Sequence, residues 1–113
     1  MSVAVDVNAR IKEQIESNPV IVYIKGTPDF PQCGFSGQTV AALKAIGTPF
    51  AYVNIFEDPE IREGLKAYSN WPTFPQLYVA GELIGGCDII VEMYHSGELG
   101  QLLSDSVASN DNG

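Results

Sequence analysis

Apolar and polar positions follow two different rhythms along this chain. Val7, Ile11 and Ile15 recur at i, i+4 and i+8, while Arg10, Lys12, Glu13 and Glu16 occupy the remaining face. That stripe predicts an amphipathic helix from an Asp6 cap to about Ser17, stopped by Asn18-Pro19. Val20 to Lys25 differs: a continuous apolar run, mostly β-branched, predicts a strand buried on both faces. Residues 26–32 hold Pro28 and Pro31 and predict a loop. The helical rhythm returns after Cys33 with Val40, Leu43 and Ile46, and Gly47 ends it. Phe50 to Ile55 predicts a second strand. Asp58-Pro59 is a helix start, with Asp as cap and Pro in the first turn, and that helix runs to about Ser69. Pro72 and Pro75 mark a turn before a third strand over Gln76 to Val79. Ala80-Gly81 predicts a hairpin into a short strand at Leu83-Ile84. Asp88 then caps a helix through Tyr94, with a kink at Ser96-Gly97 and a last turn to about Leu103. Residues 105–113 are polar and predict a disordered tail.

The resulting order, α-β-α-β-α-β-β-α, fixes much of the topology. Strand, helix, strand gives a right-handed parallel unit, and the hairpin adds antiparallel strands. The fold class is therefore α/β: a mixed four-stranded sheet flanked by helices. That order matches the thioredoxin fold with an extra N-terminal helix, and one domain is expected over 5–104. A chain of 113 residues supports one domain, and 45% apolar with 18% charged residues fits a globular protein.

Charge and cysteine usage narrow the function. With 14 acids against 6 cations the net charge is −8, which disfavours nucleic acid and anionic membrane surfaces. All the cations lie between Arg10 and Lys66. The longest apolar run is five residues, and a bilayer needs about 20 in a helix. The first residues show no basic segment followed by an apolar run, so no secretory leader is expected. Two cysteines make no disulfide scaffold, and a reducing, cytoplasmic setting fits them.

Cys33 stands where the first strand's loop enters a helix, the end of an α/β sheet at which reactive groups collect. Unpaired amides there favour a thiolate, and Lys25 could add a positive charge. A redox pair would place a second thiol three residues on; this chain has Ser36. Two-thiol exchange within the motif is excluded. Three routes stay open: monothiol chemistry with an external thiol, a Cys33–Cys87 disulfide, or metal ligation by one thiolate. Trp71 is assigned to the core rather than a dimer contact, and His95 to the surface.

Four motifs occur in order: Lys25-Gly26-Thr27-Pro28, Pro31-Gln32-Cys33-Gly34-Phe35-Ser36, Trp71-Pro72-Thr73-Phe74-Pro75 and Gly85-Gly86-Cys87-Asp88. In residues and spacing they resemble the CGFS-type monothiol glutaredoxins, in their bacterial single-domain form. The resemblance implies that Cys33 gives one thiolate to a [2Fe-2S] cluster bridging two protomers, with glutathione giving the other thiolates. It implies that Lys25 and Arg62 pair with the glycyl carboxylate of glutathione. Thr73, Phe74 and Pro75 would hold its cysteinyl part, with a cis bond before Pro75. Gly86, Cys87 and Asp88 would hold the γ-glutamyl end. The implied role is cluster assembly and transfer rather than enzymology. The implied partners are a second copy, a BolA-like protein and apo iron–sulfur acceptors. The alternative is a glutathione-dependent thiol-disulfide oxidoreductase. Cys87 is taken as a semi-buried thiol lining the site.

Overall fold

A computed structural model describes the backbone of residues 3–112 and the side chains of residues 7–106. The elements are α1 (Val3–Ser17), β1 (Val20–Ile24), α2 (Gly34–Ile46), β2 (Ala51–Asn54), α3 (Pro59–Ser69), β3 (Gln76–Val79), β4 (Glu82–Gly85), α4 (Cys87–Ser96) and α5 (Glu98–Asn112). The four strands lie in the order β2-β1-β3-β4. β1 and β2 are parallel, with Ile21 opposite Ala51; β1 and β3 are antiparallel, with Tyr23 opposite Gln76; β3 and β4 are antiparallel. This is the mixed sheet that the element order requires.

The alternation of side chains along β1 and β3 divides the interior in two. Val20, Val22, Ile24, Leu77 and Val79 face α2, α4 and α5, where Val40, Leu43, Ile90, Leu99 and Leu103 complete an aliphatic core. Ile21, Tyr23 and Tyr78 face α1 and α3, where Val7, Ile11, Ile15, Ile61 and Leu65 bury the predicted stripe. Tyr23 and Tyr78 meet edge to face there, with ring centroids 5.7 Å apart. α1 lies close against α3 because position 64 is glycine: a Cβ there would stand 2.3 Å from Val7 Cγ1.

Three boundaries differ from expectation. α1 begins at Val3, so Asp6 sits inside its first turn and is not its cap. Gly86, in extended conformation, takes the cap position of α4, which leaves Asp88 within the first turn. α5 runs on to Asn112 through the stretch expected to be a disordered tail. No Pro or Gly interrupts it after Gly100, Leu99 and Leu103 anchor it in the aliphatic core, and Ser106 Oγ donates to Pro19 O at 3.4 Å. Gly113 lies outside the described residues. None of the described helices is long and apolar enough to cross a membrane.

Candidate active site

The site forms where the parallel strands end and two helices begin. Cys33 is the cap residue of α2, extended at φ −151° and ψ 138°, and its side chain is partly exposed. Its thiol is held below the ordinary value. The Ser36 backbone N–H is the main cause, followed by the Phe35 N–H, the Lys25 charge and the Ser36 hydroxyl; slight burial works the other way. Helix-end amides have no partner within the helix, so a thiolate there supplies one.

Ser36 has a second role that its place in the motif does not announce. It is fully buried, and its Oγ accepts from the Lys25 N–H at 3.0 Å. The hydroxyl's own proton is left to donate, and Cys33 benefits from it. Gln32 N–H donates to Lys25 O at 2.8 Å, so the Cys33 loop is tied back to the end of β1. Gly26 makes this closure possible: its φ is +98°, and a Cβ would stand 2.6 Å from Gln32 N and Phe30 O. Lys44 reaches over from α2 to Pro28 O and Asp29 Oδ1, both at 3.2 Å, and clasps the outer part of the loop.

Beside Cys33 lies an open cleft of about 430 Å³. Lys25, Phe35, Trp71, Thr73, Phe74, Pro75, Gly86, Cys87, Asp88 and Ile89 line it. The Phe74–Pro75 bond is cis. Cys87 is buried, its thiol is free, and its Sγ lies 3.4 Å from Gln38 Oε1. Gly86 lets α4 approach the proline turn: a Cβ there would sit 3.4 Å from Pro75 O and from Trp71 Nε1.

Most of the expected site residues are thus brought together. Lys25, Thr73, Phe74, Pro75, Gly86, Cys87 and Asp88 share the cleft, and Cys33 stands at its edge outside the lining. Arg62 is not in the lining either. The acid one turn before it, Asp58, is engaged elsewhere: Oδ1 caps α3 through the Ile61 N–H and Oδ2 pairs with Arg10. Arg62 Nε is buried and has no partner among the described residues. Trp71 departs from its assignment to the core. It belongs to neither core, lines the cleft, and buries its Nε1 without a partner among the described residues. Phe74 of the same turn is buried in the core under α1 and α3, and the indole is left to the cleft. His95 is exposed on the last turn of α4, as expected.

Three supporting residues had no motif to mark them. Asn54 Oδ1 accepts from the Gly26 and Phe56 N–H groups, both at 3.0 Å, and joins the ends of β1 and β2. Lys44 holds the loop as described. Gln76 is a fully buried amide in a strand otherwise made of Leu77, Tyr78 and Val79. A polar residue inside an apolar strand, next to Pro75, was the available signal.

The sequence and the fold agree on kinship. The family model for Glutaredoxin matches residues 20–84. The chain belongs to the glutaredoxin family. With Ser36 in place of a second cysteine, its motif is of the monothiol kind. Glutaredoxin 4 of Escherichia coli (strain K12) is 57% identical over 99 residues, covering 88% of this chain and 86% of that protein. The solution structure of reduced poplar apo GrxS14 superposes with a TM-score of 0.80 at 47% identity, over 96% of this chain and 99% of that one. The holo form of glutaredoxin C1 from Populus tremula x tremuloides gives 0.84 at 28% identity, over 94% of each. The glutaredoxin match and the four-stranded mixed sheet agree on the fold.

Proposed function

We propose that this chain binds glutathione in the cleft and uses Cys33 to hold one side of a [2Fe-2S] cluster shared between two protomers, as a carrier that passes the cluster to apo acceptors. The observation that carries the reading is one acidified thiol beside a cleft lined by Lys25, the Thr73-Phe74-Pro75 turn and the first turn of α4. Lys25 offers an ammonium to a carboxylate. The turn at Thr73-Phe74 offers backbone groups to the peptide of a tripeptide thiol. The α4 N-terminus at Cys87 and Asp88 suits a carboxylate beside an ammonium, the two charges of a γ-glutamyl end. An orphaned donor fits as well: the Trp71 Nε1–H, on a residue that lines the cleft, lacks an acceptor among the described residues, and an oxygen-rich ligand offers one.

The donor count supports sharing. Among the described residues no group of three or more His, Cys, Asp or Glu side chains could hold a metal. On this reading Cys33 is the one thiolate that the chain gives to iron, and the remaining ligands come from a second copy and from glutathione thiols. Cys33 keeps its proton off at lower pH than an ordinary thiol and so competes well for iron. A BolA-like protein replacing one protomer, and a cytoplasmic location, belong to the same reading.

Anaerobic reconstitution with iron, sulfide and glutathione tests it. The expected result is a coloured dimer, with Cys33→Ser colourless and monomeric. A colourless wild-type monomer overturns it. Lys25→Glu should lower glutathione affinity and cluster retention about tenfold more than Lys12→Glu, an exposed α1 control. Equal effects would remove Lys25 from the site. Lys44 is no such control, because it holds the loop.

The partly exposed, acidified thiol also favours a second reading. Cys33 attacks a protein–glutathione disulfide, the protein thiolate leaves, and a second glutathione releases the first as glutathione disulfide. Brisk turnover of such a substrate by a colourless monomer is the result that favours it.

A further inference from the structure

Thr73 and Phe74 can bind a peptide only if their backbone faces the cleft. A buried side chain behind the turn is hydrogen-bonded to it. Gln76 Nε2 donates to Trp71 O at 3.0 Å and to Thr73 O at 3.2 Å. Its Oε1 accepts from the Tyr78 hydroxyl at 3.1 Å. All of this happens at a side chain with no exposed surface. Gln76 and Tyr78 stand two residues apart in β3 and so share the face covered by α1 and α3. Ser69 Oγ, at the end of α3, accepts from the Trp71 N–H at 3.1 Å and secures the turn's other side.

We propose that Gln76 is a positioning residue, a buried amide that sets the orientation of the 71–75 turn and thereby the affinity of the cleft for glutathione. This rests on the reading of the cleft as the glutathione site. The chemistry is specific to an amide. Both its N–H groups and its oxygen are used. A leucine would leave the Thr73 carbonyl without this donor and the Trp71 carbonyl with only the 3.5 Å contact from Ser69 Oγ. An ionised glutamate, an acceptor only, would turn both carbonyls away. A protonated glutamic acid can still donate to one carbonyl and accept from Tyr78.

Binding of reduced glutathione to the full chain, measured at two pH values, is the test. Gln76→Glu should bind within about threefold of wild type near pH 5.5 and about tenfold more weakly near pH 8.5, because a buried carboxyl ionises late. Each value is taken relative to wild type at the same pH, which cancels titration of glutathione and of Cys33. The titratable groups facing position 76 are phenols: Tyr23 opposite it in β1, Tyr78 beside it, and Tyr68 on α3 acting on both. Burial holds Tyr23 and Tyr78 above their ordinary value, out of the window. Tyr78→Phe, which removes only the hydroxyl on Oε1, should weaken binding about threefold.

A ratio independent of pH, or wild-type affinity in Gln76→Leu, overturns the proposal. Amide resonances of Thr73 and Phe74 in ligand-free Gln76→Glu supply a readout without glutathione. They should move with pH, while those of Tyr52 in β2 stay fixed; fixed turn resonances also overturn it. If wild type binds no glutathione, the reading of the cleft falls, and the ligand-free resonances alone decide the role of Gln76.

Discussion

The two faces of the sheet are built from different chemistry. Under α2, α4 and α5 the core is aliphatic. Under α1 and α3 aliphatic side chains are joined by Tyr23, Tyr78 and Phe74, and the phenols are hydrogen-bonded to Gln14 and Gln76. The aliphatic face carries the helices whose first turns make the site, α2 with Cys33 and α4 with Cys87. Aliphatic contacts are non-directional and forgiving, so that face supplies cohesion. The aromatic face supplies direction, because a buried hydrogen bond fixes an angle as well as a distance.

That contrast can be broken by experiment. The largest effect should come from the aliphatic side. Leu43→Ala, at a fully buried position of α2, should cost about 2–5 kcal/mol in urea denaturation. It should leave the pH profile of Cys33 alkylation where it was; a moved profile would mean that cohesion and site geometry are not separable. Asp58→Ala removes both the α3 cap and the Arg10 pair. A loss of about 1–2 kcal/mol is expected, most of it from the cap, since the ion pair is partly exposed. Asp58→Asn, which keeps the cap, should recover most of it by the same measurement. Tyr23→Phe deletes a hydroxyl that donates to Gln14 Oε1 at 2.8 Å. It should cost about 1 kcal/mol and leave glutathione affinity intact, because Gln14 touches nothing at the cleft. Reduced affinity would show that the aromatic face acts as a whole rather than through Gln76.

The smallest effect concerns Cys33 itself. Its depressed value means that the folded protein releases this proton at lower pH than the unfolded chain. Ionisation therefore favours the folded state above the unfolded value, and that contribution is lost as pH falls through the folded value. In kinetics, iodoacetamide should titrate Cys33 with a midpoint below that of an ordinary thiol. Ser36→Ala should raise the midpoint slightly, because the hydroxyl is the least of the named causes and the Ser36 N–H survives the change. An unmoved midpoint would assign the whole shift to backbone and Lys25.

What could be read from residues alone follows from the range of the forces involved. β1 and α3 were legible because their signals are local: a continuous apolar run, and Asp58-Pro59 at a helix start. The cleft was legible because its members cluster in short motifs. Gln76 was not, because its partners at 71, 73 and 78 act by shape and leave no period. The burial of Ser36 was hidden for a similar reason, since its partner Lys25 is 11 residues away. The α4 cap went to Gly86 rather than Asp88 because the backbone must run extended past Pro75 and Trp71 before it can turn. α5 outran its predicted end because packing of Leu99 and Leu103 outweighs the weak helix preference of Ser and Asp.

The Arg10–Asp58 pair has a kinetic consequence. Arg10, Lys44 and Lys66 are each matched to a carboxylate. Asp58 is occupied by Arg10, and Arg62, four residues along, has no ion pair among the described residues. Lys25 stands likewise without an ion pair among the described residues. On a molecule of net charge −8, these two cations are islands in a repulsive field. At physiological salt that field fades within about 8 Å, so an anion would drift in unguided and be captured only at the last step. Lower the ionic strength and the far field reasserts itself. The arrival rate of an anionic ligand then becomes a contest between global repulsion and local attraction, and its salt dependence reports which is winning.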